Sequence, residues 1–118
     1  MAPIDHTVTF TTSLAPDAAR EKALAWFSTY TYKIESDQPG ELTVYTGSQA
    51  KMRLLGGAFI AASSLPTRTT LAIAPSGGGS EVTVTTHDSV GFGVKTGMKK
   101  KYQQWLIDIG EGLRAALA

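Results

Sequence analysis

Strict alternation of polar and apolar residues marks the start of the chain. His6, Val8 and Phe10 lie on one side of a segment that runs to Leu14, and the other side is mostly threonine. A period of two with many β-branched residues is typical of a half-buried strand. Similar alternation recurs five more times, between turns rich in Gly, Pro, Asp and Ser. The sequence therefore predicts six strands, at about residues 6–14, 32–35, 42–45, 51–54, 67–74 and 81–87.

Two other segments have the three- and four-residue spacing of a helix. Pro16 suits a first helical position, and apolar residues recur from Ala19 to Tyr30, which predicts a helix over about 16–29. A longer stripe predicts a C-terminal helix after Thr96, the expected N-cap. Its apolar members are Met98, Tyr102, Trp105, Leu106, Ile109, Leu113 and Leu117.

The order β-α-β-β-β-β-β-α predicts an α+β fold with two layers. Consecutive strands joined by short turns form an antiparallel sheet. One face of this six-stranded sheet is expected to be wet and rich in threonine, and the long C-terminal helix is expected to cover the other face. The length of 118 residues suits one domain over residues 1–118.

Composition and charge exclude several classes of protein. The chain has no cysteine, so it has no disulfides, thiolate metal sites or cysteine nucleophile. The net charge of +1 gives no overall basic field for nucleic acid. Residues 1–6 do not resemble a signal peptide, and the longest apolar stretch, Leu54–Ala62, is too short to span a membrane. We expect a cytoplasmic protein, either a monomer or a homodimer.

The near-neutral total conceals an asymmetry along the chain. Residues 1–50 carry a net charge of −3 and residues 51–118 a net charge of +4. The basic residues cluster at the beginning of the C-terminal helix, where cations oppose the helix dipole. This placement suggests contact with an anion or an acidic lipid, and a solvated, solubilising face is the alternative. The candidate residues are Lys95, Lys99, Lys100 and Lys101.

Candidate catalytic groups are few. His6 and His87 lie in opposite phases of their strands, so they should point to opposite faces, and we expect no metal site. Thr86-His87-Asp88-Ser89 contains triad residue types, but adjacency along a chain is not triad geometry. Gly91–Gly97 does not match either standard phosphate-binding loop. Inward positions offer few acids or bases, which favours a binding protein over an enzyme and leaves catalysis open.

Two segments carry a family resemblance that covers nearly the whole chain by layout. They are the strand–Pro–helix opening, Phe10–Ala19, and the long closing helix after a Gly-rich connection, Gly91–Leu117. This arrangement resembles the START/Bet v 1-like superfamily (SRPBCC, polyketide cyclase-like), whose fold is called the helix grip. The resemblance implies a curved sheet around the C-terminal helix with an apolar ligand cavity between them. The chain would be a short variant, because one helix leads directly into the second strand.

This resemblance implies non-covalent binding of an apolar or amphipathic small molecule, such as a lipid or a polyketide-like compound, without a cofactor. Leu54–Ala62 is then either a rim at the pocket mouth or a loop in weak contact with a membrane surface, and a buried strand extension is the alternative. Two other functions stay open: a cyclase or aromatase-like enzyme, and a module with a filled core that acts through its surface. The expected ligand contacts are Phe10, Trp26, Met52, Leu71, Tyr102, Trp105 and Ile109.

Overall fold

An antiparallel sheet with two helices on one face forms the described part of the chain. The computed structural model describes residues 5–30, 32–47, 65–88 and 99–118. The strands lie side by side in the order β1-β5-β4-β3-β2. Along the chain the elements are β1 (Asp5–Thr12), α1 (Pro16–Phe27), β2 (Tyr32–Gln38), β3 (Glu41–Thr46), β4 (Thr67–Ser76), β5 (Gly79–Asp88) and α2 (Lys99–Leu117).

The described residues form a five-stranded sheet, so the predicted number of six strands was wrong. β3 pairs directly with β4 along its whole length, from Glu41 opposite Ala72 to Thr46 opposite Thr67. This continuous pairing leaves no space between the two strands for the strand expected at 51–54, a segment that lies outside the described residues. The other five predicted strands and both predicted helices are confirmed.

A tight hairpin fixes the register between β4 and β5. Ser76 and Gly79 pair across a two-residue turn in which Gly77 and Gly78 have φ angles of 54° and 87°. Positive φ at both central residues belongs to a turn whose twist matches that of the flanking strands, and glycine adopts this conformation without steric cost. The turn therefore sets which residues of β4 and β5 face the helices.

The sheet has one polar face and one apolar face. Threonines dominate the outer face, where the hydroxyl groups of Thr9 and Thr83 lie 3.3 Å apart, as do those of Thr43 and Thr70. The inner face packs against α2, and α1 lies beside α2. Burial of these apolar side chains is the main stabilising term of the fold. The core consists of Phe10, Ala19, Ala23, Phe27, Leu42, Val44, Leu65, Leu71, Ile73, Val82, Val84, Tyr102, Trp105, Leu106, Ile109, Leu113 and Leu117.

Side-chain hydrogen bonds fix α2 along the sheet at both of its ends. The Thr12 hydroxyl donates to the carbonyl of Leu117 in the last turn of the helix. Near the other end, the Tyr102 hydroxyl donates to the carbonyl of Pro66, 2.9 Å away, just before β4 begins. The N-terminal half of α2 therefore lies at the end of the sheet where β3 ends and β4 begins. Within the described ranges, neither helix is long and apolar enough to cross a membrane.

Candidate functional site

Buried polar groups are concentrated at one end of the layer between the sheet and α2. The middle of the inner face is purely apolar, but four buried threonines follow it where β3 ends, β4 begins and β5 ends. Each threonine continues the inward phase of its strand, so its side chain faces the helices. We call this region the polar end; its sheet residues are Thr46, Thr67, Thr69 and Thr86.

Two of the four hydroxyl groups have hydrogen-bond partners within the protein. The Thr67 hydroxyl donates to the carbonyl of Leu65, 2.9 Å away. The Thr86 hydroxyl lies 3.2 Å from the carbonyl of His6 and 3.4 Å from that of Leu106. These contacts satisfy both hydroxyls and give them a structural role, because a buried hydroxyl normally bonds to a nearby acceptor.

The other two hydroxyl groups have no partner among the residues that the structure describes. Thr46 is 1% exposed and Thr69 is 0% exposed, and neither Oγ1 atom makes a hydrogen bond. Since Thr46 pairs with Thr67, it is a diagonal neighbour of Thr69 on the same face of the sheet. A buried polar group without a partner costs about 1–3 kcal/mol, so two neighbouring examples are unusual in a native core.

A third unpaired group comes from the helix side of the layer. Trp105 is 6% exposed, and its Nε1 atom has no acceptor within the described ranges. The ring packs edge-to-face on Tyr30, with 5.3 Å between the ring centroids. Tyr30 lies just before Tyr32, which pairs with Thr46. The end of α1, the N-terminal half of α2 and the ends of the central strands therefore converge around the polar end.

The chemistry of these groups limits what they can bind. An indole N–H only donates a hydrogen bond, and a threonine hydroxyl can both donate and accept. Together, Trp105, Thr46 and Thr69 can satisfy a group with acceptor oxygens, such as a carbonyl or a carboxylate. His6 is the imidazole on the described inner face, and its Nε2 atom is also buried without a partner.

Most of the residues predicted to contact a ligand lie in the core between the sheet and the helices. Phe10, Leu71, Tyr102 and Ile109 belong with Trp105 to one buried cluster, and Trp26 packs against it half-buried. Met52 lies outside the described residues.

The sequence-based prediction selected apolar positions and missed Thr46 and Thr69. A signal for both was present. Thr46 continues the inward phase of Leu42 and Val44, and Thr69 continues that of Leu71.

Three lysines of the predicted basic cluster, Lys99, Lys100 and Lys101, lie in the first turn of α2. α2 starts at Lys99, Lys100 in its first turn is exposed, and Lys101 is half-buried. Lys95 lies outside the described residues. These lysines add positive charge at the end of α2 that is nearer the polar end.

Ion pairs connect elements elsewhere on the surface. Arg20 of α1 donates to both carboxylate oxygens of Asp37 in β2, and Arg68 of β4 donates to both oxygens of Glu35. These hydrogen bonds from arginine hold the pKa values of Asp37 and Glu35 below their usual range, and partial desolvation opposes the effect.

A cleft of about 520 Å³ lies between the start of α1 and the β2–β3 hairpin. It lies away from the polar end, and the Arg20–Asp37 pair contributes to its walls. The ion pair satisfies these two groups, which gives them a structural role in joining α1 to the hairpin. We therefore place the candidate site at the polar end rather than in this cleft.

The two histidines lie as predicted, on opposite faces. His6 pairs with Thr86 on the inner face, and His87 pairs with Asp5 on the outer face. Among the residues that the structure describes, no three His, Asp or Glu side chains are grouped to hold a metal ion.

Comparison with known proteins supports the fold. No family model matches the chain, and no curated protein matches it. Protein MLL2253 from Mesorhizobium loti, a crystal structure, is 12% identical over 96% of both chains, with a TM-score of 0.58.

Two further solved structures have TM-scores below 0.5, and the fold assignment does not depend on them. TTHA0849 from Thermus thermophilus is 10% identical, covers 97% of this chain and 99% of its own, and has a TM-score of 0.40. Ara h 8.0201 is 12% identical with the same coverage and a TM-score of 0.35. The elements and their order alone show that the described residues form an α+β fold with a five-stranded antiparallel sheet and a C-terminal helix, consistent with the helix grip.

Proposed function

We propose that this protein binds an amphipathic small molecule between the sheet and α2, with the polar group of the ligand at the polar end. One observation carries the proposal: Thr46 Oγ1, Thr69 Oγ1 and Trp105 Nε1 are buried at the same end of the layer, without hydrogen-bond partners in the described part of the chain. A ligand oxygen that accepts from these donors would offset the cost of burying them.

The surroundings of these groups favour a ligand with an apolar body. The polar end continues into the side chains of Leu71, Tyr102 and Ile109, which form the core between the sheet and α2. Binding sites of this kind are mostly apolar with a few polar groups that orient the ligand. The site therefore suits a lipid-like or polyketide-like compound with a carbonyl or carboxylate at one end.

Charge at the same end of the helix favours an acidic over a basic ligand. Lys100 and Lys101 lie in the first turn of α2, where the helix dipole is also positive. The proposal thus includes the anion contact that the sequence predicted for the basic cluster.

Laurate provides a direct test, because it combines a twelve-carbon chain with a carboxylate. Native mass spectrometry of freshly purified protein shows whether a molecule is retained, and delipidated protein is then titrated with laurate. In a Trp26→Phe background the remaining tryptophan, Trp105, reports binding through its fluorescence. We expect saturable one-to-one binding. Absence of both a retained molecule and saturable binding would contradict the proposal.

Matched variants locate the polar group of the ligand. Thr46→Val and Thr69→Val together remove both unpaired hydroxyls with little change in volume, and should weaken laurate binding by roughly tenfold. Thr67→Val removes a paired hydroxyl on the same face of β4 and should leave the affinity nearly unchanged. Equal affinities for the double variant and the parent protein would show that the hydroxyls do not contact the ligand.

A further inference from the structure

The two edges of the sheet differ in how well they can accept another strand. β2 forms one edge, and it is interrupted by a bulge between Ile34 and Ser36. β1 forms the other edge, and its eight residues pair with β5 without interruption. Bulges and lysines are common features that prevent edge strands from pairing. β2 has both, including Lys33, whereas β1 has neither.

The register of the β4–β5 hairpin shows which peptide groups of β1 point away from the sheet. Ser76 and Gly79 close a two-residue turn and therefore exchange hydrogen bonds with each other. Along two antiparallel strands, residue pairs that exchange backbone hydrogen bonds alternate with pairs that do not. In a strand that lies between two others, successive residues therefore bond first to one neighbour and then to the other. By this alternation Val8 exchanges hydrogen bonds with Val84 of β5. The peptide groups of Thr7 and Thr9 point outward, towards the edge that no strand of the described residues covers.

We propose that β1 pairs antiparallel with β1 of a second copy, around a two-fold axis at Val8. In this register Thr7 lies opposite Thr9 of the partner subunit, and Thr9 lies opposite Thr7 of the partner subunit. Because both residues have outward peptide groups, each pair exchanges two backbone hydrogen bonds. The result is one continuous sheet across two copies, with the same edge used on both sides.

The side chains of β1 are self-complementary in this register. On the outer face, threonine pairs with threonine, as Thr9 already does with Thr83 within the chain. On the inner face, half-buried Val8 meets Val8 of the partner subunit, and His6 meets Phe10 of the partner subunit. Cross-strand pairs of β-branched and aromatic residues stabilise a sheet. No like charges face each other across the axis, which favours a second copy as the occupant of this edge.

Two double variants test the pairing with opposite charge patterns. Thr7→Lys with Thr9→Lys places two ammonium groups directly opposite each other at both symmetric positions and should weaken association by roughly tenfold. Thr7→Lys with Thr9→Glu places an ammonium opposite a carboxylate at the same positions and should retain the dimer. Both variants remove the same threonines, so differences in strand propensity are small.

Sedimentation and light scattering across protein concentrations give the mass of each form, with circular dichroism as a check on folding. The parent protein should reach twice the chain mass of 12.5 kDa at high concentration. The lysine–lysine variant should remain a monomer over the range in which the lysine–glutamate variant dimerises. A parent protein that stays monomeric, or two variants that associate equally, would overturn the proposal. If the lysine–lysine variant does not fold, Thr7→Glu with Thr9→Glu supplies the like-charge pair and should likewise remain a monomer.

Discussion

Gly112 of α2 lies against the indole ring of Trp26, so closely that a Cβ atom at residue 112 would be 2.6 Å from the ring. The absence of a side chain there lets α1 and α2 pack together beneath the sheet. Trp26 in turn lies edge-to-face on Phe27, with 5.2 Å between the ring centroids. This contact positions the end of α1, and with it Tyr30 beside Trp105.

Gly112→Ala should therefore destabilise the protein, although alanine is favoured over glycine in a helix by about 1 kcal/mol. The added methyl group must displace a large ring, and overpacking of this kind typically costs about 1–3 kcal/mol. Chemical denaturation gives the change in the free energy of unfolding. Gly110→Ala is the control on the same helix. A Cβ atom at residue 110 would be 3.2 Å from the nearest side-chain atoms of His6 and Val8, which is a milder contact than the one at residue 112. A more stable Gly112→Ala variant would show that the contact with Trp26 is unimportant.

Thr69→Val and Thr67→Val should change stability in opposite directions. Thr69 buries an unpaired hydroxyl, so its replacement by an apolar group should raise the free energy of unfolding of the unliganded protein by about 1 kcal/mol. Thr67 donates to Leu65, so its replacement should lower that free energy by a similar amount.

The comparison is made by thermal and chemical unfolding of delipidated protein. Both residues are fully buried on β4 and face the same way, so strand position and burial are matched. Equal losses of stability in the two variants would indicate that the hydroxyl of Thr69 has a partner in solution.

Acid should weaken the pairing of Glu35 with Arg68. The hydrogen bonds from Arg68 lower the pKa of Glu35 in the folded protein relative to the unfolded chain. The folded state therefore favours the ionised carboxylate. Its contribution is present above the ordinary pKa of glutamate and is lost as the pH falls through the lower pKa of the folded state. Because the pair is partly exposed, that contribution is below about 1 kcal/mol.

Glu35→Gln should lower the melting temperature by a few degrees or less near neutral pH, and by a smaller amount in acid. The measurement is a series of thermal unfolding curves from pH 7 to pH 3 for the parent protein and the variant. Glu81→Gln provides a control, because Glu81 is an exposed carboxylate that pairs with no arginine among the described residues. A difference that stays constant with pH would contradict the assigned role of ionisation.

Thr12→Val should loosen the last turn of α2. The Thr12 hydroxyl donates to the carbonyl of Leu117 and accepts from the backbone N–H of Leu14, so one side chain fixes both the helix end and the turn after β1. Its loss should cost about 1–3 kcal/mol. Hydrogen exchange should accelerate most in the final turn of α2 and near Leu14. Uniform acceleration over the whole chain would instead indicate a general loss of stability.

Local pattern by itself determined much of this protein. The alternation from His6 to Leu14 gave β1 and its faces, and the stripe from Tyr102 to Leu117 gave the buried side of α2. These signals survive in a single sequence because the side chains of a strand alternate every two residues and those of a helix repeat every 3.6. The same alternation put His6 and His87 on opposite faces, as the structure confirms.

Long-range contacts decided the rest. The direct pairing of β3 with β4 could not be deduced from local periodicity, and the predicted number of six strands in the sheet was wrong for this reason. Likewise, the inward phase of Thr46 and Thr69 was visible in the sequence, but only the packed structure showed that their hydroxyls have no partners. Hydrogen bonding of a buried group depends on which distant atoms surround it, and that is decided when the sheet and helices pack together.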